Sequence, residues 1–154
     1  MISLKLLFRL IALLIGAVLL WAFWFYQPER QLERAHQRLL KAVESRNWKA
    51  IREMTTDDFK AGVYDKTEAI EVGHEVLRQF FSIKLTESDR TWRREPAQSV
   101  LSARLHMEGR GAGFADAVRS TVNRQKEPFV FTWQRMSRKP WDWKLVKAEH
   151  PLFF

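Results

Sequence analysis

The chain opens on an unbroken apolar run. "LIALLIGAVLLWAFWFY", Leu10 to Tyr26, carries no charge, and a helix over it spans roughly 25 Å at about 1.5 Å per residue. Begun at Leu6, the same helix spans roughly 31 Å, enough for a hydrocarbon core of about 30 Å, with the Arg9 guanidinium reaching back to the headgroups. The pattern predicts a single membrane-spanning helix. Trp21, Trp24 and Tyr26 gather at one end, where amphipathic rings favour the membrane–water interface. A cleaved signal peptide shares the basic start and the apolar centre but needs small residues before the cut, and "WAFWFYQPE" offers no A-x-A site. Residues 1–27 therefore read as an uncleaved signal anchor. Lys5, Arg9 and the amino terminus lie on its short side, so the positive-inside rule places the N-terminus in the cytoplasm and exports the C-terminal domain, which in a Gram-negative host means the periplasm.

After the run the period changes. Gln27-Pro28 interrupts the helix, because proline lacks an N–H and disfavours helix in the residue before it. From Glu29 to Ser45, Leu32, Ala35, His36, Leu39, Leu40 and Val43 recur at three- and four-residue spacing, with Arg30, Arg34, Arg38 and Lys41 opposite; this is an amphipathic helix. Asn47 suits the N-cap of a second helix, "WKAIREM", with Trp48 and Ile51 inward. A polar connection holding Asp57, Asp58 and Tyr64 leads to a third. There Asp65 and Glu68 form a capping-box pattern, and Ile70, His74, Leu77 and Phe81 make one stripe.

Beyond Ser82 the alternation is that of strands. "SIKLTESDRTWRRE" is strand-like but polar, and "VLSARLHME" sets Leu101, Ala103, Leu105 and Met107 against Ser102, Arg104, His106 and Glu108. "GRGAGF" breaks that strand, and the stretch to Pro128 fits either a short helix on Ala115, Val118 and Val122 or a long hairpin connection. "PFVFTWQRMSRKPWDWKLV", Pro128 to Val146, reads as two strands around the turn "SRKP". Phe129, Phe131 and Trp133 share one face, and Trp141, Trp143 and Leu145 share another. Rings that each bury roughly 150–250 Å² can close the open side of a small sheet against helices.

Three helices followed by a meander of strands that ends in an aromatic hairpin resembles the nuclear transport factor 2-like, or SnoaL-like, superfamily. The likeness is carried by element order, by "AVESRNWKAIREM" descending into "DDF", and by the closing "FTWQRMSRKPWDWKLVKAEH". It implies an α+β fold over residues 28–154: a cone-shaped roll in which three helices pack on a curved, mainly antiparallel sheet around a cavity. Members of that superfamily include isomerases, dehydratases and hydrolases as well as binding and assembly domains, and fold does not choose among them. An exported domain of this fold behind a membrane anchor also resembles an assembly component of bacterial type IV secretion systems.

Charge and chemistry narrow the picture a little further. The formal charge is +8, of which Lys5 and Arg9 supply two, leaving +6. The remaining cations are interspersed with acids and form no run of like charge, so nucleic acid is not the expected partner. The absence of cysteine removes disulfides, thiolate metal sites and cysteine nucleophiles. Histidines at 36, 74, 106 and 150 have no HExxH-type spacing, and "GRGAG" is not a phosphate-binding loop, so neither metal nor cofactor is expected. His36 and His74 sit on apolar helix faces, where histidine could act as an acid or base near neutral pH. With Asp58, Tyr64 and Trp133 they are the pocket candidates, and none is assigned as catalytic. His106 and Glu108 fall on the polar face of their strand.

These observations favour a membrane-anchored binding or assembly domain, engaging a protein partner or a second copy through its sheet face, or a small apolar ligand in its cavity. The rival is a membrane-tethered enzyme of isomerase, dehydratase or hydrolase type working through cavity His and Asp groups. A closed, filled cone favours the first, and a deep pocket with converging His and Asp favours the second.

Overall fold

The computed structural model describes residues 4–153, with side chains from Leu10 to Leu152. The Lys5 and Arg9 side chains, on which the topology argument turns, and Phe154 at the end of the expected domain lie outside the described residues. Helix α1 (Leu4–Phe25) carries the apolar run, and Leu13, Leu20 and Phe23 along it are largely exposed. Among the described residues, no single helix is long and apolar enough to cross a membrane. The segment from Leu10 to Phe25 and the helix that follows, bent 59° from each other, meet that test as a pair by length and composition.

Pro28 begins α2 (Pro28–Glu44), a position where a missing N–H costs nothing because no helical acceptor precedes it. The junction is tied on both sides: Gln31 Nε2 donates to the Phe25 carbonyl at 2.7 Å, and the Arg30 guanidinium lies 3.7 Å from the centre of the Trp24 ring. Leu32, Ala35, His36, Leu39 and Leu40 are buried along the inner face of α2. Then follow α3 (Trp48–Met54), β1 (Thr55–Ala61), β2 (Tyr64–Asp65) and α4 (Lys66–Leu77). Asn47 Oδ1 accepts from the Ala50 N–H, and the Asp65–Glu68 capping box is closed in both directions, so both helix starts were written in the chain. Asp65→Ala is expected to destabilise the domain by about 1 kcal/mol, as loss of a cap does, with thermal unfolding as the measurement.

The remaining elements are β3 (Phe80–Arg94), β4 (Gln98–Gly111), α5 (Ala115–Arg124), β5 (Phe129–Arg135), β6 (Trp143–Glu149) and a 3-10 turn, Pro151–Phe153. The six strands form one sheet in the order β2-β1-β6-β5-β4-β3. Strand β1 runs parallel to β6, and the other neighbouring pairs are antiparallel. With α2 to α5 packed on it, this is the expected α+β arrangement with a mixed sheet. The core joins Leu32, Leu39 and Ile51 from the helices to Leu101, Phe131, Trp133, Trp143 and Leu145 from the strands.

Four local expectations are corrected. The segment after Met54 is strand rather than polar connection: Thr55, Thr56 and Phe59 are buried while Asp57 and Asp58 face solvent, across an irregular register with β6 between Thr55 and Lys60. Helix α4 stops at Leu77, and strand alternation then makes Phe80 the core residue and leaves Phe81 74% exposed. Strand β4 runs on through the glycines to Gly111, where any Cβ would collide with the Gln79 carbonyl and with Ala115; glycine lets β3 and α5 approach. Finally, Trp141 precedes β6 and is exposed, whereas Trp143 and Leu145 are buried.

The ambiguous stretch adopts the shorter alternative, a helix. Ala115 is buried, and Val118 and Val122 pack on Leu77, Phe80 and Met107. Strand β4 outruns β5, whose pairing stops at Ala103↔Phe129. The Asn123 side chain of α5 takes over there, accepting from the Met107 N–H at 2.7 Å and donating to its carbonyl at 3.0 Å. One amide thus satisfies backbone groups that would otherwise lack a ladder partner.

Candidate functional site

His36 is the polar centre of the core. It is fully buried, and the α2 stripe aims its ring between Phe131, Trp92 and Trp133, all in edge contact at centroid distances of 5.2, 6.0 and 5.9 Å. Its Nε2 lies 2.6 Å from Glu87 Oε1, a carboxylate side chain only 3% exposed. A carboxylate only accepts, so the shared hydrogen sits on Nε2. The imidazole's other nitrogen, Nδ1, and the neighbouring Trp133 Nε1 are both buried without a hydrogen-bond partner. One can accept and the other can donate, so the same polar group could satisfy both.

Glu87 was not among the sequence candidates, and Asp58, the carboxylate expected near a histidine, is exposed on β1. The signal for Glu87 was present in the strand phase. Ile83, Leu85 and Glu87 alternate as the less exposed positions of β3, so an acid stands on the apolar phase of its strand. A register shift between Ser88 and Thr91 follows, with Asp89 at φ 52°, and it swings Trp92 onto the same inner face.

The pair is linked to the surface by charge. Arg90 Nε approaches Glu87 Oε2 at 3.1 Å, and the Arg90 guanidinium reaches Glu33 Oε1 on α2 at 2.6 Å. Trp92 Nε1 donates to Glu33 Oε2 at 3.2 Å. Burial works against ionisation of Glu33, but hydrogen bonds from Arg90, Gln37 and Trp92 and the Arg90 charge outweigh it, holding its carboxyl below the ordinary value. A depressed carboxyl contributes stability that is present above its unfolded pKa of about 4.3 and is lost as pH falls through the folded value. Urea unfolding should therefore show wild type losing more stability than Glu33→Gln between pH 6 and pH 3, and parallel curves would contradict this network.

The other candidates stand apart from this centre. His74 is exposed on α4, its ring against Trp48 at 5.6 Å, in an open cleft of about 420 Å³ that also holds Arg52, Glu71 and Glu75. Tyr64 is half-buried on β2, opposite Ala61. Trp133 is the one candidate that meets His36. His106 and Glu108 are exposed, as the alternation of their strand requires. His150, which the sequence did not single out, is buried: Nδ1 accepts from the Leu152 N–H, Nε2 donates to the Glu127 carbonyl, and the ring stacks on Phe129 at 4.0 Å. It pins the end of the chain to the start of β5.

A second cleft, of about 390 Å³, opens beneath the first turn of α2, where Glu29 and Leu32 face Arg94, Ser99, Arg135 and Trp143. Of its two guanidinium groups, Arg94 pairs with Glu29 at 3.4 Å, and Glu95 also lines the cleft. His36 lines neither cleft. Among the described residues no three His, Asp or Glu side chains converge as a metal site requires.

No protein-family model matches the sequence, and no curated protein matches it. Solved structures do match by shape. A candidate dehydratase of the nuclear transport factor 2-like family from Streptomyces avermitilis superposes with a TM-score of 0.58 at 11% identity, over 79% of this chain and 93% of that one. A candidate ketosteroid isomerase from Shewanella frigidimarina gives 0.55 at 9% identity, over 75% and 90%. The Bd1075 protein of Bdellovibrio bacteriovorus gives 0.58 at 12% identity over 78% of this chain, which spans only 38% of that structure. At such identities the likeness speaks for shape alone, and the shape of the domain is the nuclear transport factor 2-like α+β fold.

Proposed function

We propose that this chain is a membrane-anchored nuclear transport factor 2-like domain that works by binding or assembly. The observation that carries this is the filled interior: Phe131, Trp133 and Leu101 are packed into the core with the helices, and His36 is walled in by three aromatic rings. Anchoring is supported by α1, helical over 22 residues, or about 33 Å, with its described apolar side chains turned away from the domain. A partner on the open sheet face would meet Lys84, Arg104, His106, Glu108 and Arg110, a polar surface that recognises by charge more than by burial.

Membrane fractions washed with alkaline carbonate provide the test. The chain is expected to stay in the pellet with its N-terminal segment intact by mass spectrometry, and a mature N-terminus beyond Tyr26 would remove the anchor. The enzyme alternative keeps one supporting observation, the His36–Glu87 pair with the unpartnered His36 Nδ1 beside the unpartnered Trp133 Nε1, and two solved structures of this shape are candidate enzymes. A chemical activity abolished by His36→Gln at unchanged melting temperature would put that reading first.

A further inference from the structure

The turn between β5 and β6 is built differently from the strands it joins. Trp133 and Trp143 on those strands are buried, yet Met136 and Trp141 within the turn are 49% and 44% exposed, with Arg138 and Lys139 exposed between them. The turn is not loose: the Met136 N–H donates to the Asp142 carbonyl at 2.8 Å, the Lys139 N–H donates to Ser137 Oγ at 3.2 Å, and the Trp143 indole donates to the Pro140 carbonyl. A closed turn that presents an indole, a thioether and two cations has no packing reason to do so. Its position supplies one, because Trp141 touches Tyr26, ring centroids 5.8 Å apart, at the end of the apolar helix.

We propose that this turn is a second membrane contact, seating Met136 and Trp141 in the interfacial layer of an anionic bilayer while Arg138 and Lys139 meet lipid phosphates. The inference rests on the anchor reading. If α1 spans the membrane, Trp21, Trp24 and Tyr26 lie at the interface, and the 5.8 Å contact puts Trp141 at the same depth. Indole rings and basic side chains are what that layer accepts. Arg30 and Arg34 on the first turns of α2, folded over Trp24 and Phe25, add to the same basic rim, so helix and turn would hold the domain at a fixed tilt on the bilayer.

The chain has no cysteine, so single positions of the full-length protein can be labelled with an environment-sensitive fluorophore through Ser137→Cys in the turn, Ala17→Cys in α1 and Ser45→Cys at the far end of α2. In vesicles containing spin-labelled lipid, labels at positions 17 and 137 are expected to be quenched and blue-shifted. The label at position 45 is not, since the 17 residues of α2 set it about 25 Å from the junction. Quenching at 137 should be stronger in mixed phosphatidylglycerol–phosphatidylcholine than in phosphatidylcholine alone, and Trp141→Ala in the same background should lose most of it. Quenching at 17 without quenching at 137, or equal quenching at 137 in both lipids, would overturn the docking turn and leave the anchor standing, and the turn would then face a soluble partner. Quenching that survives Trp141→Ala overturns the role given to the indole. No quenching at 17 overturns both readings together.

Discussion

Trp143→Ala is expected to cost the domain roughly 3–5 kcal/mol, the range for truncating a large buried aromatic. Trp143 is 6% exposed, its indole N–H donates to the Pro140 carbonyl at 3.0 Å, and it opens β6 opposite Arg135 as part of the main core. Truncation therefore removes packing from both the helix layer and the sheet and leaves a cavity that β6 cannot close, because its neighbours are held by ladders to β1 and β5. Trp141→Ala, two residues earlier, is the internal control. It is exposed, so its loss should stay within about 0.5 kcal/mol. Urea unfolding of the domain from Pro28 onward measures both, and a loss under about 1 kcal/mol for Trp143→Ala would mean that the hairpin packs elsewhere.

That contrast between neighbouring tryptophans shows where the sequence could be read and where it could not. Long periodic stretches were legible: α2 buries the stripe its spacing predicts, β4 buries Leu101, Ala103 and Met107, and Phe129, Phe131 and Trp133 share an inner face. Caps were legible too, because Asn47 and Asp65 act on backbone groups within three residues. What failed depended on partners distant in the chain. Strand β1 exists because β6 lies beside it, with Thr55 opposite Leu145, and nothing in "TTDDFKA" announces that pairing. Phase was lost at element junctions, where one residue of offset turns Phe80 inward and Phe81 out, and Trp143 inward and Trp141 out. The candidate site was half legible. The stripe on α2 identified His36, but its partner sits 51 positions away on an edge strand whose polarity hid the one acid in the apolar phase.

The His36–Glu87 pair is where the structure makes its sharpest demand. Removing one member of a buried hydrogen-bonded couple leaves the other unsatisfied and costs about 1–3 kcal/mol, more for a charged group, whereas replacing both by apolar side chains of the same shape can be nearly neutral or stabilising. His36→Leu leaves the Glu87 carboxylate buried but still held by Arg90 at 3.1 Å, so its cost should stay within about 3 kcal/mol. Glu87→Leu strands a histidine N–H among aromatic rings and releases Arg90 to Glu33 alone. An unsatisfied buried donor costs about 1–3 kcal/mol. The double variant should recover much of the summed loss, giving a coupling of at least about 1 kcal/mol, as residues in direct contact do. His74→Ala, on an exposed ring, should change stability by no more than about 1 kcal/mol. A four-member cycle of urea unfolding curves decides the matter. If instead His36→Leu stabilised the domain while Glu87→Leu did not harm it, the pair would be held at a cost to the fold, which is the behaviour of a functional site more than of a structural one. That outcome would shift the proposal from binding toward acid–base chemistry at His36.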